Sequence, residues 1–242
     1  MIDNKNSISK YIPNFVTLLS LSCGFTSIRF SFYEDWKIAV YLILLASVFD
    51  FFDGWFARKL KEGSNFGAEL DSLSDFVSFG VAPSVLIFLW STNTLSSIGW
   101  AATLFFVICA ALRLARFTAD IYITNKPIDD NEYFVGIPSP AAAGIVLIPL
   151  FLYFEFNLVE FNNKYLNLFL VLLVGFLMIS KIPTLSLKKI NINKKFNTWF
   201  ILIMVIVFIL MISKIWLTLS CLLILYIFSI FYTIFKNRSS IK

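Results

Sequence analysis

Long apolar stretches alternate with short polar, basic ones along this chain. Runs of about 20 residues, enough to cross the ~30 Å hydrocarbon core of a bilayer as helices, fall near residues 12–32, 37–59, 70–91, 97–118, 139–157, 164–182, 197–213 and 215–235. They predict an all-α fold: a polytopic membrane helix bundle of about eight transmembrane helices. The Ser213–Lys214 junction is so tight that a single bent pair of helices and two separate spans both fit. No second long polar region interrupts the pattern, so residues 1–242 read as one integral-membrane domain without linker, repeat or low-complexity tail. The first apolar run, from about Ile12, is long enough to span and lacks a small-residue cleavage site, which argues against a removable signal peptide.

Composition agrees: 59% of residues are hydrophobic and 14% charged, whereas a soluble domain carries about 25% charged residues. The placement of the basic residues says more than the net charge of +5. Sixteen Lys and Arg fall at the two termini and in the links after spans 2, 4 and 6; only Arg29, Lys37, Lys164 and Lys214 fall on the other side. By the positive-inside rule both termini are cytoplasmic, which suits an even number of spans. Lys188, Lys189, Lys194 and Lys195 read as anchors attracted to anionic lipid. Trp36, Trp90, Trp100, Trp199 and Trp216, near span ends, read as interfacial belt residues. Cys23, Cys109 and Cys221 stand singly in apolar runs, as small buried side chains rather than disulfide or metal partners. With no His in the chain, acid–base chemistry falls to carboxylates, Lys, Tyr or water.

The exception to the oily pattern is residues 50–75, DFFDGWFARKLKEGSNFGAELDSLSD. Asp50, Asp53, Gly54, Ala57 and Arg58 make one stripe of a helix, and Gly67, Asp71 and Asp75 one stripe of a second. The link KLKEGSNF carries a Gly-Ser-Asn turn signal, so the two helices can aim four acids at each other near the cytoplasmic ends of spans 2 and 3. Ionisable residues in spans are functional candidates by default. Four like charges this close repel strongly unless cations neutralise them. Oxygen ligands without neighbouring Cys or His favour Mg²⁺ or Mn²⁺ over zinc, and two such ions can stabilise attacking and leaving oxygens in phosphoryl transfer. Helix-capping acids at a wet interface would explain Asp71 and Asp75 alone, but not two facing stripes.

The pattern D-x2-D-G-x2-A-R-x8-G-x3-D-x3-D, met without a gap from Asp50 to Asp75, resembles the signature of the CDP-alcohol phosphatidyltransferases. ALRLARF (Ala111–Phe117), YFVGIPSPAAAG (Tyr133–Gly144) and SKIPTLSLK (Ser180–Lys188) are similar to the phosphatidylserine synthase branch, and PNFVT (Pro13–Thr17) fits the family's first helix. Spans 7 and 8, at 197–235, carry no such motif. One departure is Thr118, where that branch usually has Asn.

The resemblance implies that Asp50, Asp53, Asp71 and Asp75 hold two divalent cations, Mg²⁺ or Mn²⁺, and that Asp75 also serves as the base for the acceptor hydroxyl. It implies that Gly54, Ala57, Arg58 and Gly67 line the CDP site. It further implies transfer of the phosphatidyl group from CDP-diacylglycerol to L-serine, with release of CMP, by a homodimer in a bacterial-type inner (cytoplasmic) membrane, its site facing the cytoplasm. Membrane lipid, and no nucleic acid, is the expected surrounding. Asn14 and Thr17 either touch cytidine or cap span 1. Arg113 and Arg116 share a helix face and are either positive-inside anchors or a guanidinium pair for the lipid phosphate or the serine carboxylate. Gly136, Ile137, Pro138, Ser139 and Pro140 are either a helix start with Pro in its first turn or a rigid segment where Gly136 and Ser139 shape the serine pocket. Lys181 reads as a snorkelling anchor.

Other acceptors (glycerol 3-phosphate, inositol phosphate or choline) use the same chemistry; a phosphorylated one should want an additional basic cluster. A divalent-cation transporter would need acids at mid-membrane with exits on both sides, and Arg58 would repel a passing cation. An assembly subunit without activity leaves the acids unexplained.

Overall fold

The computed structural model describes residues 11–60, 64–124, 133–180, 183–185 and 197–239. Nearly all of them are helical. Helix α1 (Tyr11–Phe32) is followed by α2 (Trp36–Leu60) and α3 (Asn65–Asp75), which runs through a π-helical turn (Phe76–Val81) into α4 (Ala82–Trp90). A 3₁₀ turn leads to α5 (Ser97–Thr124), then come α6 (Ser139–Phe156), α7 (Lys164–Ile179), α8 (Asn197–Ser213) and α9 (Ile215–Ser239). Five stretches are long and apolar enough to cross a membrane: Tyr11–Phe32, Trp36–Lys59, Asn65–Trp90, Ser97–Ala119 and Ser139–Phe156. Shorter apolar helices occupy Lys164–Ile179, Met204–Ser213 and Ile215–Ile230. Each of the eight expected apolar runs is thus helical over most of its described residues, five of them long enough to cross a membrane, and the chain is an integral membrane protein.

The all-α expectation holds, with one small addition. A short antiparallel pair joins β1 (Tyr133–Val135) to β2 (Pro183–Leu185), with Phe134 opposite Thr184. Three-residue strands have no readable periodicity, and each exists only through its distant partner.

Helix α1 docks through a seam of small residues. Pro13, Thr17, Ser20, Gly24, Ser27 and Ser31 are buried at alternating spacings of four and three, which keeps one narrow stripe toward the neighbours and lets backbones approach closely. Its serines donate to carbonyls of α2: Ser20 Oγ to Ala46 O at 2.9 Å and Ser27 Oγ to Ala39 O at 2.8 Å. From the other side Ser74 Oγ donates to Thr17 O and Ser78 Oγ to Ser20 O, both at 3.2 Å. A side chain at Gly24 would place its Cβ 2.5 Å from Ser78 Cα. Such bonds satisfy hydroxyls that lipid would leave unpaired.

Helix α9 packs antiparallel along α6. Lys214 Nζ lies 2.6 Å from Glu155 Oε1, the Trp216 ring lies 5.8 Å from Phe151, and Leu223 fills the space above Gly144. The helix breaks at Lys214, so the tight junction joins two helices, α8 and α9. Trp100 is exposed, as a belt residue would be, whereas Trp90 and Trp216 are buried, against the belt reading. Trp216 is drawn inward by Tyr41, Phe151 and Phe154, whose rings surround it at 4.9 to 5.8 Å. Trp199 lies among side chains outside the described set, as do Lys181 and the basic 188–195 link. The described cysteines are all free; Cys109 is buried, whereas Cys221 is exposed, which the small-buried-residue reading did not foresee.

Candidate active site

The turn between α2 and α3 forms as its residue types dictate. Ser64, in extended conformation, caps α3 by accepting from Gly67 N at 3.0 Å. That cap, with the i, i+3 and i, i+4 stripes on both helices, turns the carboxylates toward one another. Oxygens of Asp50, Asp53 and Asp71 all lie within 4.8 Å of one another. Asp75 stands beside them, its carboxyl within hydrogen-bonding reach of Asp50. Oδ2 of Asp53 and Oδ1 of Asp75 are buried and make no hydrogen bond. Buried orphan carboxylate oxygens are costly, and a hard divalent cation is the partner that this all-oxygen donor set suits. The cluster could hold such a cation.

Thr17 is neither a cap nor a surface residue. It is 3% exposed, and its hydroxyl sits against the Asp53 carboxylate while also 3.0 Å from Pro13 O. With one proton it serves one acceptor at a time. Asn14 is half-buried, and its Oδ1 would lie 3.1 Å from a Cβ at Gly67. Glycine at 67 thus permits this close approach of α1 to α3. Arg58 is exposed and folds back over Gly54, its Nη1 3.5 Å from where a Cβ would stand. Beyond that arginine the space above Gly54 is open, and Ala57 lies half-buried one turn further on.

The two arginines of α5 part company. Arg113 is half-buried, donates from Nη1 to Ser139 Oγ at 2.6 Å, and lies near enough to Asp75 to attract it. Its Nε is buried without a hydrogen bond. Arg116 is exposed. Ser139 opens α6 behind Pro138 and is 1% exposed. Gly136 has φ +81°, and a Cβ there would meet Met178 O at 2.7 Å. Backbone geometry accounts for this glycine. Thr118 is buried and bonds back to Leu114 O at 2.7 Å, within its own helix.

Two features escape motif reading. The π-helical turn begins immediately after Asp75 and shifts the register of everything downstream, a device common at functional sites. Tyr226 of α9 has a buried hydroxyl within electrostatic reach of the Arg113 guanidinium. Its one sequence signal is a polar-tipped aromatic in mid-span, which is common in spans without any such role.

The CDP-alcohol phosphatidyltransferase family model matches residues 10–179. The chain is similar to a CDP-diacylglycerol–serine O-phosphatidyltransferase of Mycobacterium leprae, at 35% identity over 195 residues, 81% of this chain and 65% of that protein. A protein of the same name from Helicobacter pylori strain 26695 is 36% identical over 193 residues, 80% of this chain and 78% of its own. One from Bacillus subtilis is 39% identical over 143 residues, 59% of this chain and 77% of its own. With an acidic cluster built as the motif requires and a match that runs from α1 through α7, the chain belongs to the CDP-alcohol phosphatidyltransferase family.

Proposed function

We propose that this protein transfers the phosphatidyl group of CDP-diacylglycerol to the hydroxyl of L-serine, giving phosphatidylserine and CMP. The observation that carries the reading is the convergence of Asp50, Asp53 and Asp71 within 4.8 Å, with Asp75 and Arg113 beside them. The names of relatives at 35% and 36% identity over most of the chain support serine as acceptor.

Asp50, Asp53, Asp71 and Asp75 would hold two divalent cations, Mg²⁺ or Mn²⁺. When bound, these offset the charge of the diphosphate and of the departing CMP. Asp75 takes the proton from the serine hydroxyl as that oxygen attacks the lipid-side phosphorus, and the bond from phosphorus to the CMP oxygen breaks. Arg58 meets a phosphate of the nucleotide. Gly54, Ala57 and Gly67, with Asn14 alongside, keep the surface low so that the nucleotide reaches the helix backbone. Thr17, buried against Asp53, orients that carboxylate. Arg113 with Ser139 receives the serine carboxylate, whereas Arg116 serves as an anchor and Gly136 shapes the turn ahead of α6.

All eight apolar runs, α3 and α4 together making one, span the bilayer in this reading, with both termini and the site on the cytoplasmic side. Support comes from Arg58 and Lys59 beside the acids and from the Glu155–Lys214 pair at the far end of α6. The homodimer implied by the resemblance belongs to the same proposal.

The test is purified protein with Mg²⁺ or Mn²⁺, labelled CDP-diacylglycerol and a panel of alcohols. CMP release with serine alone is expected. Release with glycerol 3-phosphate, inositol phosphate or choline instead would reassign the acceptor, and no release with any alcohol would remove the activity.

A further inference from the structure

We propose that Gly136 and the strand pair β1–β2 position the acceptor pocket: they fix Ser139 and, through it, the face of Arg113 that takes the acceptor's carboxylate. This rests on the serine reading above. Arg113 donates from Nη1 to Ser139 Oγ at 2.6 Å, which occupies one edge of the guanidinium. The other edge, Nε with Nη2, has the planar two-donor geometry that suits a carboxylate. Its Nε is buried and makes no hydrogen bond within the protein, and a buried donor of that kind calls for a partner. The aim of this free edge is set by where Ser139 stands.

Ser139 is the first residue of α6, and only two residues separate it from Gly136. Both are immobilised: Ile137 is a core side chain, 1% exposed, and the ring of Pro138 holds φ at −57°. Gly136 has φ +81°, and a Cβ there would stand 2.7 Å from Met178 O and 3.1 Å from Ser180 O. The backbone therefore passes directly over the end of α7, which only glycine allows. Immediately before it β1 pairs with β2, Val135 opposite Pro183. Two independent contacts thus seat Ser139 on residues 178–185, and α9 packs against β2. Strand β2 and helix α9 lie beyond residue 179, where the family-model match ends. None of the four acids belongs to this support, since all sit on α2 and α3. Damage to it should fall on serine and spare CDP-diacylglycerol. A phosphate of the lipid substrate offers similar oxyanion chemistry, so the experiment separates the two sources.

Gly136→Ala pushes the turn ahead of α6 off the end of α7. Steady-state kinetics in mixed micelles should show KM for serine raised about tenfold, the loss expected when one hydrogen bond involving a charged group is misplaced. KM for CDP-diacylglycerol and kcat at saturating serine should stay within about twofold. Because Gly136 acts through Ser139, adding Gly136→Ala to Ser139→Ala should change KM for serine by less than about twofold. Losses that multiply in the double variant overturn the proposal; so does an unchanged KM for serine in Gly136→Ala, or a raised KM for CDP-diacylglycerol. A second measurement holds even where Gly136→Ala fails to fold. Phe134→Cys and Thr184→Cys, opposite one another in register, are oxidised to a disulfide in protein whose exposed Cys221 is replaced by Ser. Locked strands should leave KM for serine within about twofold. Failure of the disulfide to form, or serine-dependent CMP release that is lost on oxidation and restored by reduction, overturns the proposal. Wild-type protein that releases CMP without regard to serine overturns the underlying reading instead, which keeps the two failures apart.

Discussion

Asp75 is the residue on which the proposed chemistry turns. Asp75→Asn preserves shape and hydrogen-bonding size but cannot take a proton; turnover should fall roughly a thousandfold while the protein elutes and melts as a folded species. Normal CMP release by that variant would remove Asp75 as base. Gly67 is tight in a different sense, since a Cβ there would lie 3.1 Å from both Asn14 Oδ1 and Ser64 Oγ. Gly67→Ala should raise KM for CDP-diacylglycerol several-fold with a smaller change in KM for serine. Thr118 bonds its own helix and is buried, so it offers the site no amide of the kind that Asn would bring.

At the scale of elements, the seam on α1 sets how deeply that helix sits between α2 and α3. Gly24 is its closest point, and Gly24→Ala should cost about 1–3 kcal/mol through overpacking against Ser78, seen as a lower unfolding midpoint in detergent. Activity should fall with it, because the Ser74 and Ser78 bonds that α1 receives flank Asp75 in sequence. The Glu155–Lys214 pair is a contrasting case. Lys214 is 61% exposed, so Lys214→Ala should cost less than about 1 kcal/mol and leave kcat unchanged. If Lys214→Ala proved the more damaging of the two, α9 would owe its docking to charge rather than to the rings around Trp216.

For the whole molecule, metal and acids should act as one unit. Chelation should abolish turnover, and Mg²⁺ or Mn²⁺ should restore it. Adding the ion should also raise the unfolding midpoint, by the equivalent of about 2.7 kcal/mol at a hundred times its Kd. Loss of that stabilisation in an Asp53→Asn, Asp71→Asn double variant would place the ion at the cluster; its persistence would place the ion elsewhere. Charge placement carries the orientation, and cysteine labelling of Arg58→Cys from the cytoplasmic side of sealed vesicles is the expected result. Labelling from the opposite side would invert the topology.

The sequence by itself determined the apolar helices, the stripe of acids and the family resemblance. Each depends on local spacing or composition: a helix of given length crosses a bilayer, and residues three or four apart share its face whatever the neighbours do. Asp50, Asp53 and Asp71 accordingly converge as their spacing requires. Tertiary structure alone decided what the partners are. Arg113 and Arg116 look alike on one helix face, yet only Arg113 meets Ser139. Thr17 lies buried against the Asp53 carboxylate, Trp90 and Trp216 went to the core, and β1 found β2. Tyr226 came within electrostatic reach of Arg113 only through the packing of α9 on α6. Contacts between distant segments depend on helix register and close approach, which no local period encodes.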